Sequence, residues 1–584
     1  MLFALPASRR TSTNTGLLSV AASDFGVPGA GVTNTINNTG TIALLGAPVA
    51  GAPINSTGQY LPLAPGVSNA TVSNPLNAMA VNGPVQGQIL GVQTFNNSGI
   101  IDLTANPVAG DVLVISGGHT AGIDGGGLFV ANGGTLRFNT VLNEGGAASQ
   151  SDMLVVDSTR LGSAPTSIVV NNFGGAGAQT VGDGIALVEV LNKGASADGV
   201  FALGGRAAAG AFDYGLFHNG VGADAADGNW YLRTTGVRPE VPPDTVVPAI
   251  ASRLGLAMLG SYSSRYGDID GRQGAALYCG DDVETQKADL YYKAQPFNAR
   301  PKVECNTLLW GRIFGETGSA GGGVGSNGGF GNSGPAYSFD YGGFQAGADL
   351  YRTARDSLGL YAGAATARSD VMAASGGQAG RLSMDAYGFG GYWTHRDPVG
   401  WYTDLVLQGN WYENIRTTSV EGVNFHTQGW GITASAEAGY QVALGDGYSV
   451  IPQGQIIYQR ISIDSGTDQF AQISFGTTDE IYARLGGRLT KDWLTNDGRT
   501  VTPWVEANIW HQFGDNAQTS FASLQGNFPT SFGVGLGGTW AQVGLGLSGQ
   551  LMRNVSVFGK ADYNIALNQP GHSLGGRAGV RVSW

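Results

Sequence analysis

Residues 554–567 read NVSVFGKADYNIAL. Val555, Val557, Ala561, Tyr563, Ile565 and Leu567 fall on one side of an extended chain, and Ser556, Lys560, Asp562 and Asn564 fall on the other. A period of two with charge confined to one side predicts a strand with one apolar and one wet face. The pattern recurs upstream. Ile481, Ala483, Leu485 and Leu489 oppose Glu480, Arg484, Arg488 and Asp492; Val501, Val505, Ala507 and Ile509 oppose Glu506 and Asn508. Trp401, Leu405, Leu407 and Trp411 oppose Asp404, Gln408 and Asn410. Downstream, Ala578, Val580, Val582 and Trp584 alternate with Arg577, Gly579, Arg581 and Ser583.

A soluble sandwich alternates too, so the connections decide. Short turns at Thr353–Ser357, His395–Val399, Gly445–Gly447 and Met552–Asn554 alternate with longer polar or Gly-rich connections at 317–337, 370–379, 414–428, 464–478 and 514–530. Two connections depart from this, a tight one near Gln569-Pro-Gly571 and a mid-length one at Asn496-Asp-Gly498. Asymmetric connections and about twelve strands between Leu308 and Trp584 predict an antiparallel transmembrane β-barrel of the outer-membrane type. Trp393, Trp401, Trp493 and Trp504 are expected in its interfacial girdles. No apolar run is long enough for a spanning helix, which leaves a barrel untouched.

The rest of the chain is different. All eleven Trp lie at or beyond Trp230, and both Cys, Cys279 and Cys305, also lie beyond it. Arg238-Pro-Glu-Val-Pro-Pro-Asp244 sits at the change and reads as a linker, because Pro disfavours helix and sheet interiors. Ahead of it, TINNTGTIAL at 35–44 returns as TFNNSGIIDL at 94–103, with a shorter echo, ANGGTLRF, at 131–138. Turn-then-strand units at recurring intervals predict a parallel β-helix, with a β-sandwich as the alternative. The net charge of −12 argues against a nucleic-acid partner, since phosphate binding needs a basic face. The opening MLFALPASRRTSTN lacks the parts of a secretory signal, so a fragment or a misplaced start codon is expected.

Residues 151–233 resemble the autochaperone region that ends many autotransporter passengers. Ser151, Asp152, Leu154, Gly182, Gly184, Ile185, Leu187, Val188, Asp213, Tyr214, Leu216, Trp230, Tyr231, Leu232 and Arg233 carry that likeness. About 245–584 resembles the autotransporter β-domain, and a final strand with Val580, Val582 and Trp584 looks like the signal read by the barrel-assembly machinery. The resemblance implies an all-β chain in four parts: a β-helix-like passenger remnant at 1–126, an autochaperone-like module at 127–236, a linker and pore helix at 237–272, and a barrel at 273–584. It implies that TVVPAIASRLGLAMLGSYSSRY at 245–266 threads the barrel, its small residues permitting close approach. It further implies outer-membrane lipid and periplasmic chaperones as partners, and a passenger at the surface of a Gram-negative cell. The pair Cys279 and Cys305 departs from the family; in an oxidising periplasm the two are expected as a disulfide.

Catalytic patterns are missing. There is no HExxH or GDSGS, and His119, His218, His395, His426, His511 and His572 are scattered. Gly122-Ile-Asp-Gly-Gly-Gly127 lacks the tandem nonapeptide of a calcium roll, and GGGVGSNGG at 321–329 lacks the Lys-Ser/Thr of a phosphate loop. No catalytic residue, cofactor or metal is therefore expected. The sequence points to secretion and display of a non-enzymatic passenger, with a surface adhesin as the alternative and a porin as a weaker third.

Overall fold

The computed structural model describes residues 10–20, 22–24, 33–44, 84–193, 195–266, 308–322, 334–353, 355–397, 399–496, 499–552 and 554–583. Two compact units emerge, one built largely before Pro239 and one largely after it.

The first unit is a stack of coils, each giving one strand to each of three sheets. One parallel sheet holds Arg10–Asn14, Asn34–Asn38, Thr94–Asn97, Leu128–Asn132 and Ser158–Ala164. This is the β-helix. The repeat seen in sequence is a repeat in space: Thr35, Ile36, Asn37 and Asn38 lie opposite Thr94, Phe95, Asn96 and Asn97. The Asn pairs stack as ladders. Asn14 Nδ2 donates to Asn38 Oδ1 (2.9 Å), Asn38 Nδ2 to Asn97 Oδ1 (2.8 Å), and Asn96 Nδ2 to Asn37 Oδ1 (2.8 Å). Inside, Phe95, Phe129 and Phe201 stack at 5.7 and 5.8 Å, and Trp230 closes the column edge-on at 5.4 Å. The third sheet ends in an antiparallel meander of Ala207–Ala209, Phe212–His218 and Trp230–Val237, which caps the coils.

The second unit is a closed barrel of twelve antiparallel strands: β1 Leu308–Ala320, β2 Tyr337–Arg352, β3 Asp356–Met372, β4 Gln378–Arg396, β5 Trp401–Ser419 and β6 Asn424–Tyr440. It continues through β7 Tyr448–Ile463, β8 Thr478–Lys491, β9 Thr500–Phe513, β10 Thr539–Met552, β11 Val555–Ala566 and β12 Gly571–Ser583. Leu309 pairs with Val582, and this β1–β12 ladder closes the cylinder. Closure removes the free edges that would otherwise expose unpaired backbone to lipid. Apolar side chains such as Ile313, Phe344, Leu407, Leu485 and Leu545 face out, while Arg312, Asp404, Gln459, Arg488 and Glu506 are buried within.

Several expectations need correction. The stretch 414–428 is mostly strand, and in 370–379 only 373–377 is turn, because the alternation of faces continues into both. A register shift between Tyr412 and Ile415, with Asn414 at φ 50°, absorbs the irregular residues. The connections at 464–478 and 514–530 carry strands of their own, which join in a four-stranded sheet with Thr530–Val534. Trp504 is no girdle residue. It points inward, 4% exposed, opposite Gly546, where a Cβ would meet its indole at 2.2 Å. The Pro-rich linker is the start of a helix, α1 Val241–Ala257, with Pro242 and Pro243 in its first turn. Pro is tolerated there because first-turn N–H groups have no intrahelical acceptor.

Candidate functional site

The barrel lumen is occupied by α1, followed by a short second helix, α2 Tyr262–Tyr266. A helix buried around its whole circumference needs no apolar stripe. In α1, Val246, Val247, Ala249, Ile250, Ala251 and Leu254 are all buried, as are Asp244, Thr245 and Ser252. Apolar burial therefore does not define one docked face, and polar clasps fix the orientation.

Three clasps run down the helix. At its N-terminal end, Ser419 Oγ donates to Glu240 Oε1 (2.8 Å) and Thr417 Oγ1 donates to Asp244 Oδ1, both from the end of β5. At mid-height, Ser252 Oγ meets Gln459 Oε1 (2.7 Å) and the Tyr482 hydroxyl (2.8 Å), and Gln408 Nε2 donates to the Gly255 carbonyl (3.0 Å). Gly255 leaves room for this approach, since a Cβ there would lie 2.2 Å from Gln459 Nε2 and displace that amide. At the C-terminal end, Arg312 donates to the carbonyls of Ala257 (3.0 Å) and Leu259 (3.1 Å), satisfying acceptors that a helix end leaves open.

Beyond the helix end, Arg265 of α2 is fully buried. It pairs with Asp404, donates to Thr394 Oγ1 (2.8 Å), and lies 3.8 Å from the centre of the Tyr392 ring. Sequence reading placed Asp404 and Gln408 on a wet face, but it did not find Arg265, Ser252 or Gln459. A lone Ser or Gln carries no motif, and Arg265 matters only because α2 turns it toward β5.

The residues singled out at the end of the chain occupy β12. Val580 lies opposite Gly311 and Val557, and Val582 opposite Leu309 and Val555. Trp584, Cys279 and Cys305 lie outside the described residues. The histidines remain dispersed; His218 stacks on Trp230 at 4.7 Å beside Asp198. Among the described residues no group of three or more His, Cys, Asp or Glu is placed to hold a metal ion. Buried carboxylates cluster in the β-helix. Asp152 accepts backbone N–H groups from Gly110 (3.0 Å), Asp111 (2.9 Å) and Asn139 (2.6 Å), tying neighbouring turns together. Burial, and then the neighbouring Asp111, push its carboxyl up to about 8. Asp111 is likewise raised by burial to about 7, although Val85 and Asn106 donate to it.

A twelve-stranded barrel with an apolar exterior and a helix clasped in its lumen, in a chain that begins as a capped β-helix, defines a class: an outer-membrane barrel carrying a passenger-type unit. The chain matches the autotransporter (type V secretion) family at two places: residues 309–562 fit the autotransporter β-domain and residues 118–216 fit the autochaperone domain type 1. It is 28% identical over 525 residues to the adhesin BmaC autotransporter of Brucella suis, covering 84% of this chain and 14% of that protein. It is 24% identical over 469 residues to the autotransporter adhesin AIDA-I of Escherichia coli, covering 75% of this chain and 32% of that one. The solved transport unit of AIDA-I aligns with a TM-score of 0.40 at 18% identity, over 52% of this chain and 97% of that one. The chain spans between 14% and 32% of the length of the first curated relatives it matches. The barrel is an outer-membrane barrel, with the passenger exposed at the surface of a Gram-negative cell.

Proposed function

We propose that this chain translocates its own N-terminal passenger across the outer membrane and anchors it at the cell surface. The observation that carries this reading is α1, because the clasped helix is the chain itself running through the barrel. The passenger is non-enzymatic in this reading. A second reading, that the passenger is an adhesin, draws on the adhesins among the relatives, and its ligand is unknown. The family match implies biogenesis of the usual autotransporter kind; the finer proposal is that periplasmic chaperones deliver the chain and the barrel-assembly machinery inserts it. Val580, Val582 and Trp584 are proposed as the signal that machinery reads. Removing Val582–Trp584 is expected to abolish heat-modifiable barrel and surface-accessible passenger; normal surface levels of the truncated chain would refute the signal. Cys279 and Cys305 are proposed to form a periplasmic disulfide, checked by thiol labelling with and without prior reduction. Labelling of both without reductant would contradict it.

A further inference from the structure

Helix α1 does not fill the lumen. It lies against β2–β7 and leaves open a cavity bordered by its own Arg253, Leu256 and Ala257 and by β1, β2 and β7–β12. Five cationic side chains line that cavity: Arg253, Arg312, Arg484, Lys560 and Arg577; its lining carboxylates are Glu316 and Asp562. Four of the cations have partners. Arg312 is held by Gln345 and the helix carbonyls, and Arg253 lies 4.1 Å from the centre of the Phe339 ring. Arg484 pairs with Glu437 at 3.0 Å, and Lys560 pairs with Glu506 and with Asp562 at 3.2 Å.

Arg577 is the exception. It has no hydrogen bond or ion pair among the described residues, and it sits directly across the β11–β12 ladder from Lys560, on the same inward face. Like charges directly opposite one another destabilise a sheet, and Arg577, although Asp562 and Glu506 lie near enough to favour its charge, donates to neither. A planar fork of donors beside an ammonium is matched by an anion with several oxygens, which would accept from both. Ser573 lines the same wall.

We propose that this half of the lumen is a binding site for a small oxyanion of the phosphate or sulfate type, held by Arg577 with Lys560. The cavity meets the helix clasps at Arg312, whereas Arg577 and Lys560 belong to β12 and β11 and to none of the clasps, and binding there does not depend on passenger export. The test is calorimetric titration of the full-length chain, folded in detergent, with inorganic phosphate. The parent chain is expected to show saturable 1:1 binding, weakened at least tenfold in R577Q and unchanged in R416Q. Arg416 is exposed on the outer face of β5 and serves as the surface control. Absence of saturable binding, undiminished binding in R577Q, or equal loss in R416Q would overturn the proposal; the last would place the anion on the outer surface. Heat-modifiability reports whether R577Q is folded. Should it not fold, competition in the parent chain decides: sulfate is expected to displace phosphate where potassium chloride of equal ionic strength does not. Equal displacement by chloride would mean general charge screening and no site.

Discussion

At the scale of single residues, the β-helix rests on side chains that bond or stack from coil to coil. Asn38 and Asn97 are both fully buried and joined at 2.8 Å. Asn97→Ala removes that bond and leaves the Asn38 amide short of an acceptor, at a cost of about 1–3 kcal/mol. Gly99 stacks on Gly40, and a Cβ would come within 2.1 Å of the Gly40 carbonyl oxygen, a backbone atom that cannot turn aside. Gly99→Ala is therefore expected to be the more damaging change. Pulse proteolysis of the full chain in urea ranks the two; an undisturbed midpoint for Asn97→Ala would contradict the ladder's role. The NNxG repeat was legible because ladder and turn both demand fixed residue types. The carboxylate of Asp152 was singled out only by family likeness, since its role lies in neighbouring turns that the sequence separates by about forty residues. Its raised pKa gives the second expectation. Asp152 and Asp111 hold protons in the folded unit that the unfolded chain releases near the ordinary 3.8. Wherever the native state binds more protons, stability falls as pH rises. The first unit should be most resistant to urea near pH 4, lose resistance as pH climbs through about 7 and about 8, and level off above. Asp152→Asn should flatten the curve, and a midpoint that rises across that window would contradict the assignment.

At the scale of elements, the barrel strands were readable because a wall with lipid on one side and a polar lumen on the other imposes a period of two. The strand ends were not. Past Trp411 the outward residues turn polar, so loss of apolar character looked like the start of a loop, while the inward alternation of Ile415, Thr417 and Ser419 continued. Trp504 was misplaced for a related reason: an aromatic near a strand end suits a girdle, but its parity with Glu506 puts it inside. Helix α1 was expected in the lumen on family likeness, and the residues that lock it came from the fold alone. The Arg265–Asp404 pair holds α2 against β5, just past the end of α1. Asp404→Ala leaves a buried guanidinium without its counter-charge, a change that costs about 3–5 kcal/mol in comparable settings. The expected outcome is a barrel that still folds, shows a lower heat-modification midpoint, and passes more current in planar bilayers as the helix end loosens. Unchanged conductance and midpoint would show that the pair does not hold the plug.

At the scale of the whole molecule, the question is whether passenger and barrel stay joined. Some autotransporters cut themselves inside the barrel at an Asn-Asn pair, where an Asn side chain attacks its own backbone carbonyl. Asn-Asn occurs here at 37–38, 96–97 and 171–172, all in the β-helical unit, and no Asn lies between Asn229 and Asn298. The lumen helix thus lacks the nucleophile. The Pro-rich stretch ahead of it offered a second route, cleavage by an outside protease near Arg238–Pro243. The structure narrows that route, because Val241, Pro242 and Pro243 are buried in the first turn of α1, and a protease needs an exposed, extended segment. Thr235 and Gly236, at the end of the last meander strand, are exposed; Gly236 pairs with Asp213, and Thr235 sits at a bulge within the strand. Immunoblots of purified outer membranes, probed for the barrel, should therefore show one full-length species. Unfolding the first unit with urea before protease treatment should release the passenger and leave a protected barrel that includes α1. A discrete barrel fragment beginning within 245–270, formed in a protease-deficient host without denaturant, would mean that residues other than Asn perform the cut, and the first candidates would be the carboxylates and hydroxyls clasped around α1: Glu240, Asp244, Thr417 and Ser419.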